Sequence, residues 1–204
     1  FCAGIDMSMF QQQDVDLRTP LLTPLKPSPA NLFQRCAYVW REVPVPVICA
    51  IRGVAYGGGM QIAAGADIRY VAPDARLSSM EIRWGLIPDM AMTTTLRGLV
   101  PMDKVKELTF TGAVLAASEA EKIGLVTAVQ DDPLAAAHAL AKTIAGKSPD
   151  AIRAGKKLLN EAWSLPEAEA LALEAKLQLP LLGSPNQVES AMANFEKREP
   201  RFKD

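Results

Sequence analysis

The chain has 204 residues, 49% hydrophobic and 22% charged, enough for one large domain, or one domain with an appendage, around a real apolar core. Lys and Arg number 22 against 23 Asp and Glu, so the formal net charge is −1. That balance disfavours a polyanion binder, and the lack of an apolar run of about 18 residues disfavours a membrane-spanning helix.

The chain opens at Phe1 on FCAGID, a structured-looking segment with no leader, transit or lipidation motif. The expectation is a protein whose N-terminal portion, with any targeting signal, has been lost. Residues 11–29 carry QQQ and then prolines at 20, 24, 27 and 29. That spacing forbids a continuous helix or central strand and predicts a long loop, either a lid or disordered. Apolar positions Leu32, Phe33, Cys36, Ala37, Val39 and Trp40 predict a helix over 30–41. PVPVICAI, residues 44–51, reads as a buried strand.

Gly57-Gly58-Gly59 then opens a small-residue helix, and Ile68–Val71 reads as a second strand. A strand–glycine turn–helix–strand unit predicts an α/β fold with parallel pairing. Ala75–Ser78 is predicted extended, Thr93–Leu99 and Met102–Phe110 helical, and Leu125–Val129 a strand.

The remainder is helical. Asp132-Pro133, Ser148-Pro149 and Ser184-Pro185 each place a capping residue before a proline at the first helical position. Ser118-x-x-Glu121 and Ser184-x-x-Gln187 have the spacing of capping boxes. Gly146 and Gly183 read as helix stops. The Ala- and Leu-rich stretch 166–182 is more apolar than a solvated helix needs, which predicts packing on another subunit or helix layer. The expected division is a core over 1–130 and a helical region over 131–204.

Cys2, Cys36 and Cys49 are odd in number and lack C-x-x-C spacing, which argues against a disulfide framework or zinc site and for a reducing, cytoplasmic setting. His138 is the only histidine, and nothing near it supports a nucleophile–histidine mechanism. The glycine run lacks the trailing Lys-Ser/Thr of a P-loop, and no G-x-G-x-x-G opens a helix. The positive signal is two glycine turns, Ala3-Gly4-Ile5-Asp6 and Gly57-Gly58-Gly59. Helix N-termini present unpaired N–H donors, and glycine lets a ligand oxygen approach them closely. Two such turns converging on one oxygen would form an oxyanion hole, each donor of which is typically worth roughly 10²–10³ in rate. Glycine needed for packing alone is the competing reading.

The ordered set FCAGIDM, VPVICAIRGVAYGGGMQIAAGADIRYVAPDARL, GLIPD, LTFTGAVLAASEAEKIGLVTAV and ANFEKREPRF resembles the crotonase superfamily, the enoyl-CoA hydratase/isomerase family, over essentially the whole chain. The resemblance implies a crotonase-like ββα superhelix core, a C-terminal helical trimerisation region, and a homotrimer or dimer of trimers. It implies acyl-CoA thioester substrates, no cofactor beyond the CoA they carry, and no metal, nucleic-acid or membrane partner. Ile5 and Gly58 would supply the two oxyanion-hole N–H groups that stabilise a thioester enolate.

The two-carboxylate hydratases of that family carry Glu two residues after the glycine run, where this chain has Gln61, and an amide exchanges no proton at neutral pH. The second hydratase Glu matches Glu81, and Asp89 matches a position that is acidic in some relatives, dienoyl-CoA isomerases among them. Water addition needs one group to activate water and another to protonate carbon. Double-bond migration needs only removal and return of a proton, which one or two carboxylates manage. Glu81 and Asp89 are therefore the expected catalytic pair, and isomerisation is favoured. Hydration and a catalytically idle acyl-CoA-binding member are the rivals. A solvated turn acid is the plain alternative for Glu81, and a helix cap for Asp89. Ala3, Asp6, Gln61 and Trp84 are expected at the substrate, with Phe195 and Lys197 where the family's last helix meets CoA. Met60, Met80, Met90 and Met92 are expected either to line an acyl pocket or to fill the core.

Overall fold

A computed structural model describes residues 1–6, 8 and 18–203. The QQQ start of the predicted loop lies outside the described residues. Within 18–29 that loop carries one short helix, α1 (Arg18–Leu22), where the sequence reading expected none. Proline is tolerated there because Pro20 falls in the first turn, where the N–H would have no intrahelical acceptor. Helix α2 (Leu32–Glu42) starts on a box not anticipated: Gln34 N donates to Asn31 Oδ1 at 2.9 Å, and Asn31 N to Gln34 Oε1 at 3.0 Å.

Strands β1 (Ile48–Ile51) and β2 (Val54–Tyr56) follow without a helix between them, although the sequence suggested one strand. Pro44 and Pro46 keep the first part of PVPVICAI out of the ladder. Gly53, at φ +67°, turns the corner between the two strands. Helix α3 (Gly58–Ala64) comes next, then β3 (Ile68–Val71) and β4 (Arg76–Ser78).

Among the described residues the strands sort into two three-stranded sheets. One has the order β1-β3-β6, all parallel, with Ile48 opposite Ile68 and Tyr70 opposite Ala128; β6 is Ala128–Val129. The other has the order β2-β4-β5, with β5 (Leu115–Ala116) antiparallel to β4. The pairs β1/β2 and β3/β4 therefore each send their first member to one sheet and their second to the other, the turns stacking as a ββα superhelix, while β5 and β6, separated by the helix Ala117–Lys122, join the sheets in the opposite order. Cys2 forms a parallel bridge with Ala55, so the first residues extend the β2 sheet. The core between the layers is built from Ile51, Ala55, Met60, Val71, Leu77, Met92, Leu96, Leu125 and smaller neighbours, all nearly inaccessible. Small residues on α3 permit this closeness. A Cβ on Gly65 would stand 2.1 Å from the Ala37 carbonyl oxygen.

Helices α4 (Met92–Thr95), α5 (Met102–Thr111) and α6 (Ala117–Lys122) complete the layered part. The box expected at Ser118 and Glu121 is displaced by two residues, because α6 starts directly where β5 ends. Glu119 Oε2 accepts from Ala116 N at 2.8 Å, while Glu121 Oε1 accepts from Val129 N at 3.1 Å. Buried Arg69 on β3 joins distant turns: its Nε donates to the Leu125 carbonyl at 2.9 Å and its Nη1 to that of Ala66.

Two compact units result, Phe1–Glu42 with Val47–Ala137, and Val43–Pro46 with His138–Asp204. Helix α7 (Pro133–Ala145) leads from the first into the second, capped by Asp132, whose Oδ1 accepts from Ala135 N at 3.0 Å. The second unit is helical: α8 (Pro149–Glu161), α9 (Glu167–Gln178) and α10 (Pro185–Glu196). Lys156 fastens α8 to the Val45 carbonyl at 2.9 Å. Asn186 ties Asp150 to the Lys203 backbone, and a two-pronged Arg198–Glu189 pair holds the carboxyl of Glu189 at about 2. No residue of α9 is buried in this chain.

Candidate active site

The second glycine turn is made by strand β2 running into α3. Gly57 takes φ +52°, a conformation that favours glycine. Its N–H is used, donating to the Ser78 carbonyl at 2.9 Å. Gly58 is the first helical residue, where the N–H has no intrahelical acceptor, and among the described residues no backbone carbonyl takes it.

The first turn lies beside it. Cys2 N donates to the Val54 carbonyl and Tyr56 N to that of Cys2, so Cys2 pairs beside β2. A Cβ on Gly4, at φ +101°, would stand 3.0 Å from the Tyr56 oxygen and 3.8 Å from Gly58 N. The two glycine turns are thus neighbours, although 53 positions separate Gly4 from Gly57. The Ile5 N–H likewise meets no backbone carbonyl among the described residues. Ala3 is exposed. Asp6 is exposed too; the Ser8 N–H at 2.9 Å lowers its carboxyl below the usual range, so it closes its own turn.

Glu81 opens a 3₁₀ turn, Glu81–Trp84, after β4 and is half-buried. Its Oε1 would lie 3.4 Å from a Cβ on Gly57, which puts the carboxylate over the glycine turn. Both carboxylate oxygens are held by the protein. Gln61 Nε2 donates to Oε1 at 2.7 Å, and Ser79 Oγ donates to Oε2 at 3.1 Å. Ser79, 1% exposed, is a site residue that sequence reasoning missed. Its only local signal is its place two residues before the acid.

Gln61 was expected at the substrate. The structure places it 0% exposed, with its amide oxygen accepting from Met90 N at 2.8 Å. The buried side of a short helix gives it protein partners on both ends of the amide.

Asp89 is exposed, yet crowding by surrounding atoms still raises its carboxyl above the ordinary value, against the opposing effect of its own backbone N–H. It caps no helix. The residue before α4 is Ala91, in the left-handed region at φ 65°. Met90 and Met80 flank the glycines: the Met90 sulfur is 3.0 Å from where a Gly58 Cβ would be, and Met80 Cγ 4.0 Å from one on Gly57. Met60 and Met92 are core residues. Trp84 is 54% exposed. Phe195, exposed on α10, and Lys197, in the left-handed cap that ends it, belong to the second unit.

An acid held over adjoining turns with open amides can move a proton on a carbon whose neighbouring carbonyl is polarised by those amides. The chain is similar to several known proteins. A family model described as enoyl-CoA hydratase/isomerase matches residues 1–204. A probable enoyl-CoA hydratase of Mycobacterium bovis is 35% identical over 162 residues, covering 78% of this chain and 63% of that protein. The mitochondrial methylglutaconyl-CoA hydratase of Mus musculus is 30% identical, covering 100% of this chain and 64% of its own length. The chain thus spans less than two thirds of both relatives. The crystal structure of an enoyl-CoA hydratase from Polaromonas sp. JS666 superposes with a TM-score of 0.87 at 26% identity, over 100% of this chain and 78% of that one.

Proposed function

This chain belongs to the enoyl-CoA hydratase/isomerase family, and on that premise we propose that it shifts the double bond of an enoyl-CoA thioester. The Ile5 and Gly58 amides bind the thioester oxygen. Glu81 takes a proton from the α-carbon of a 3-enoyl-CoA, and the electron pair of that C–H bond delocalises onto the oxygen as an enolate. Glu81 then delivers the same proton to the γ-carbon; where Asp89 delivers its own instead, Glu81 gives its proton to solvent and Asp89 takes one up before the next turnover. The conjugated 2-enoyl-CoA results, with no atom gained or lost. Asp89 suits the second role because crowding favours its protonated form and no helix needs it as a cap.

The observation that carries this reading is the partner of Glu81. The group 2.7 Å away is the amide of Gln61. An amide neither activates water nor protonates carbon, which leaves Glu81 as the acid over the glycine turn. Hydration of a 2-enoyl-CoA is the second reading, favoured by the names of the relatives. In that case Glu81, alone or with Asp89, activates the water.

The experiment is a panel of 3-enoyl-, dienoyl- and 2-enoyl-CoA substrates offered to the chain and to Glu81→Gln. We expect the 3-enoyl thioester to gain the absorbance of a conjugated one, and Glu81→Gln to lower that rate by roughly 10²-fold or more. Rapid hydration of the 2-enoyl substrate with no shift of the others would establish the second reading instead. Binding without turnover of any member would mark an idle acyl-CoA binder.

We place the working form in a homotrimer or dimer of trimers, which the exposed apolar side chains around α9 support. We place it in the cytoplasm, a compartment suited to three free thiols, although several relatives carry mitochondrial names.

A further inference from the structure

Glutamate has three side-chain torsions, and Glu81 stands on a 3₁₀ turn whose next three residues, Ile82, Arg83 and Trp84, are exposed. Packing by its own turn therefore does little to choose its rotamer. The choice is made by two buried polar groups from elsewhere. Gln61 donates to Oε1 and Ser79 to Oε2. The orientation of the Gln61 amide is forced, because a backbone N–H only donates and a carboxylate only accepts. Its oxygen must face Met90 N and its nitrogen Glu81.

Gln61 therefore reaches two parts of the site at once. One bond holds the carboxylate over Gly57. The other holds the Met90 peptide, whose side-chain sulfur sits against Gly58 and whose next residue, Ala91, has the strained φ of 65°. We propose that Gln61 is the positioning residue of this site, with Ser79 as its counterpart: it fixes Glu81 Oε1 over the glycine turn and, through the Met90 peptide, sets the wall beside Gly58. This role rests on the reading of Glu81 as the proton carrier. The amide suits it for a second reason. It cannot accept a proton, so a proton taken by Glu81 is not relayed away through Gln61.

Proton transfer is sensitive to such placement, since a 1 Å error in the reacting groups can cost roughly 10²-fold in rate. The test is Gln61→Leu, which keeps the bulk and removes both bonds. With a 3-enoyl-CoA substrate, kcat should fall by roughly 10- to 100-fold while KM changes by less than about threefold, because the thioester is still held by backbone amides. Gln61→Glu is the conservative rescue. While it holds a proton its hydroxyl donates to Glu81 and its carbonyl accepts from Met90 N. Two carboxyls this close share one proton, so kcat should recover well above that of Gln61→Leu.

Ser79→Ala removes the other donor with little change of volume, and should lower kcat by several-fold, again with KM nearly unchanged. If Gln61→Leu does not fold, Ser79→Ala and Gln61→Glu decide. A kcat unmoved in the serine variant, or a Gln61→Glu chain that folds normally but is as slow as Glu81→Gln, overturns the role. Turnover by the unmodified chain with full kcat in a folded Gln61→Leu also overturns it and leaves the functional reading standing. No turnover by the unmodified chain on any enoyl-CoA removes the functional reading and this role together.

Discussion

Gly58 and Gly59 are adjacent, but the structure asks different things of them. A Cβ on Gly59 would stand 2.4 Å from the Cys2 carbonyl oxygen and 2.7 Å from Cys2 Cβ. Backbone cannot yield that much locally, so Gly59→Ala must push Cys2 away from its pairing with β2. A Cβ on Gly58 meets only the Met90 sulfur, at 3.0 Å, the end of a flexible chain that can swing aside. We expect Gly59→Ala to destabilise the fold by about 1–3 kcal/mol and Gly58→Ala by less than about 1 kcal/mol. Urea unfolding of the two variants side by side checks this, and equal costs would show that the first segment is not seated on the second glycine. The sequence singled out the glycine run by residue type, and Glu81 through the family resemblance. It could not assign Gln61 its partners, because Glu81 lies 20 and Met90 29 positions further on.

At the scale of elements, the pairing of β1 with β3 puts Cys49 opposite Arg69. Burial pushes the Cys49 thiol up from 9.0 to about 11, more strongly than the nearby Arg69 charge pulls it down. The folded chain therefore holds this proton more tightly than the unfolded chain. The stability it contributes is complete below pH 9 and is lost as pH rises from 9 towards 11. We expect unfolding free energy to fall across that window by about 2 kcal/mol more in the native chain than in Cys49→Ala. Denaturant titrations at several pH values measure the difference, and identical slopes would sink it.

Elements were legible where their signals are local. The starts of α7, α8 and α10 are at Pro133, Pro149 and Pro185, and β3 spans Ile68–Val71, as expected. The short strands β2 and β5 were missed, since two or three residues carry no readable alternation. Leu125–Val129 gave a strand of only two residues, Ala128–Val129, because Leu125 and Val126 instead turn into the core from the end of α6. Helix α4 stops at Thr95, short of the predicted Leu99.

At the scale of the molecule, the second unit leaves large apolar side chains in water: Trp163 is 83% exposed, Leu179 72%, Leu182 62% and Leu171 57%. The sequence suggested that 166–182 is too apolar for a solvated helix, and within one chain no residue of α9 is fully buried, Ala170, Leu173 and Leu177 being half-buried. Large exposed apolar patches mark association surfaces. We expect sedimentation to give three or six times the 22.0 kDa chain mass. A monomer at every concentration would exclude that assembly.

Taken by itself, the sequence determined whatever depends on neighbours along the chain. Prolines and capping side chains set helix starts, glycines marked the tight turns, and a β-branched run set a strand. The identity of the residue at position 61 narrowed the available proton chemistry. Packing in three dimensions is what brings the turns together, assigns each strand to its sheet, and lets Gln61 and Ser79 together hold Glu81. The reason is physical. Local preferences act over a few residues, whereas a buried amide chooses partners from whatever polar groups packing brings within hydrogen-bond reach, however far away in sequence they lie.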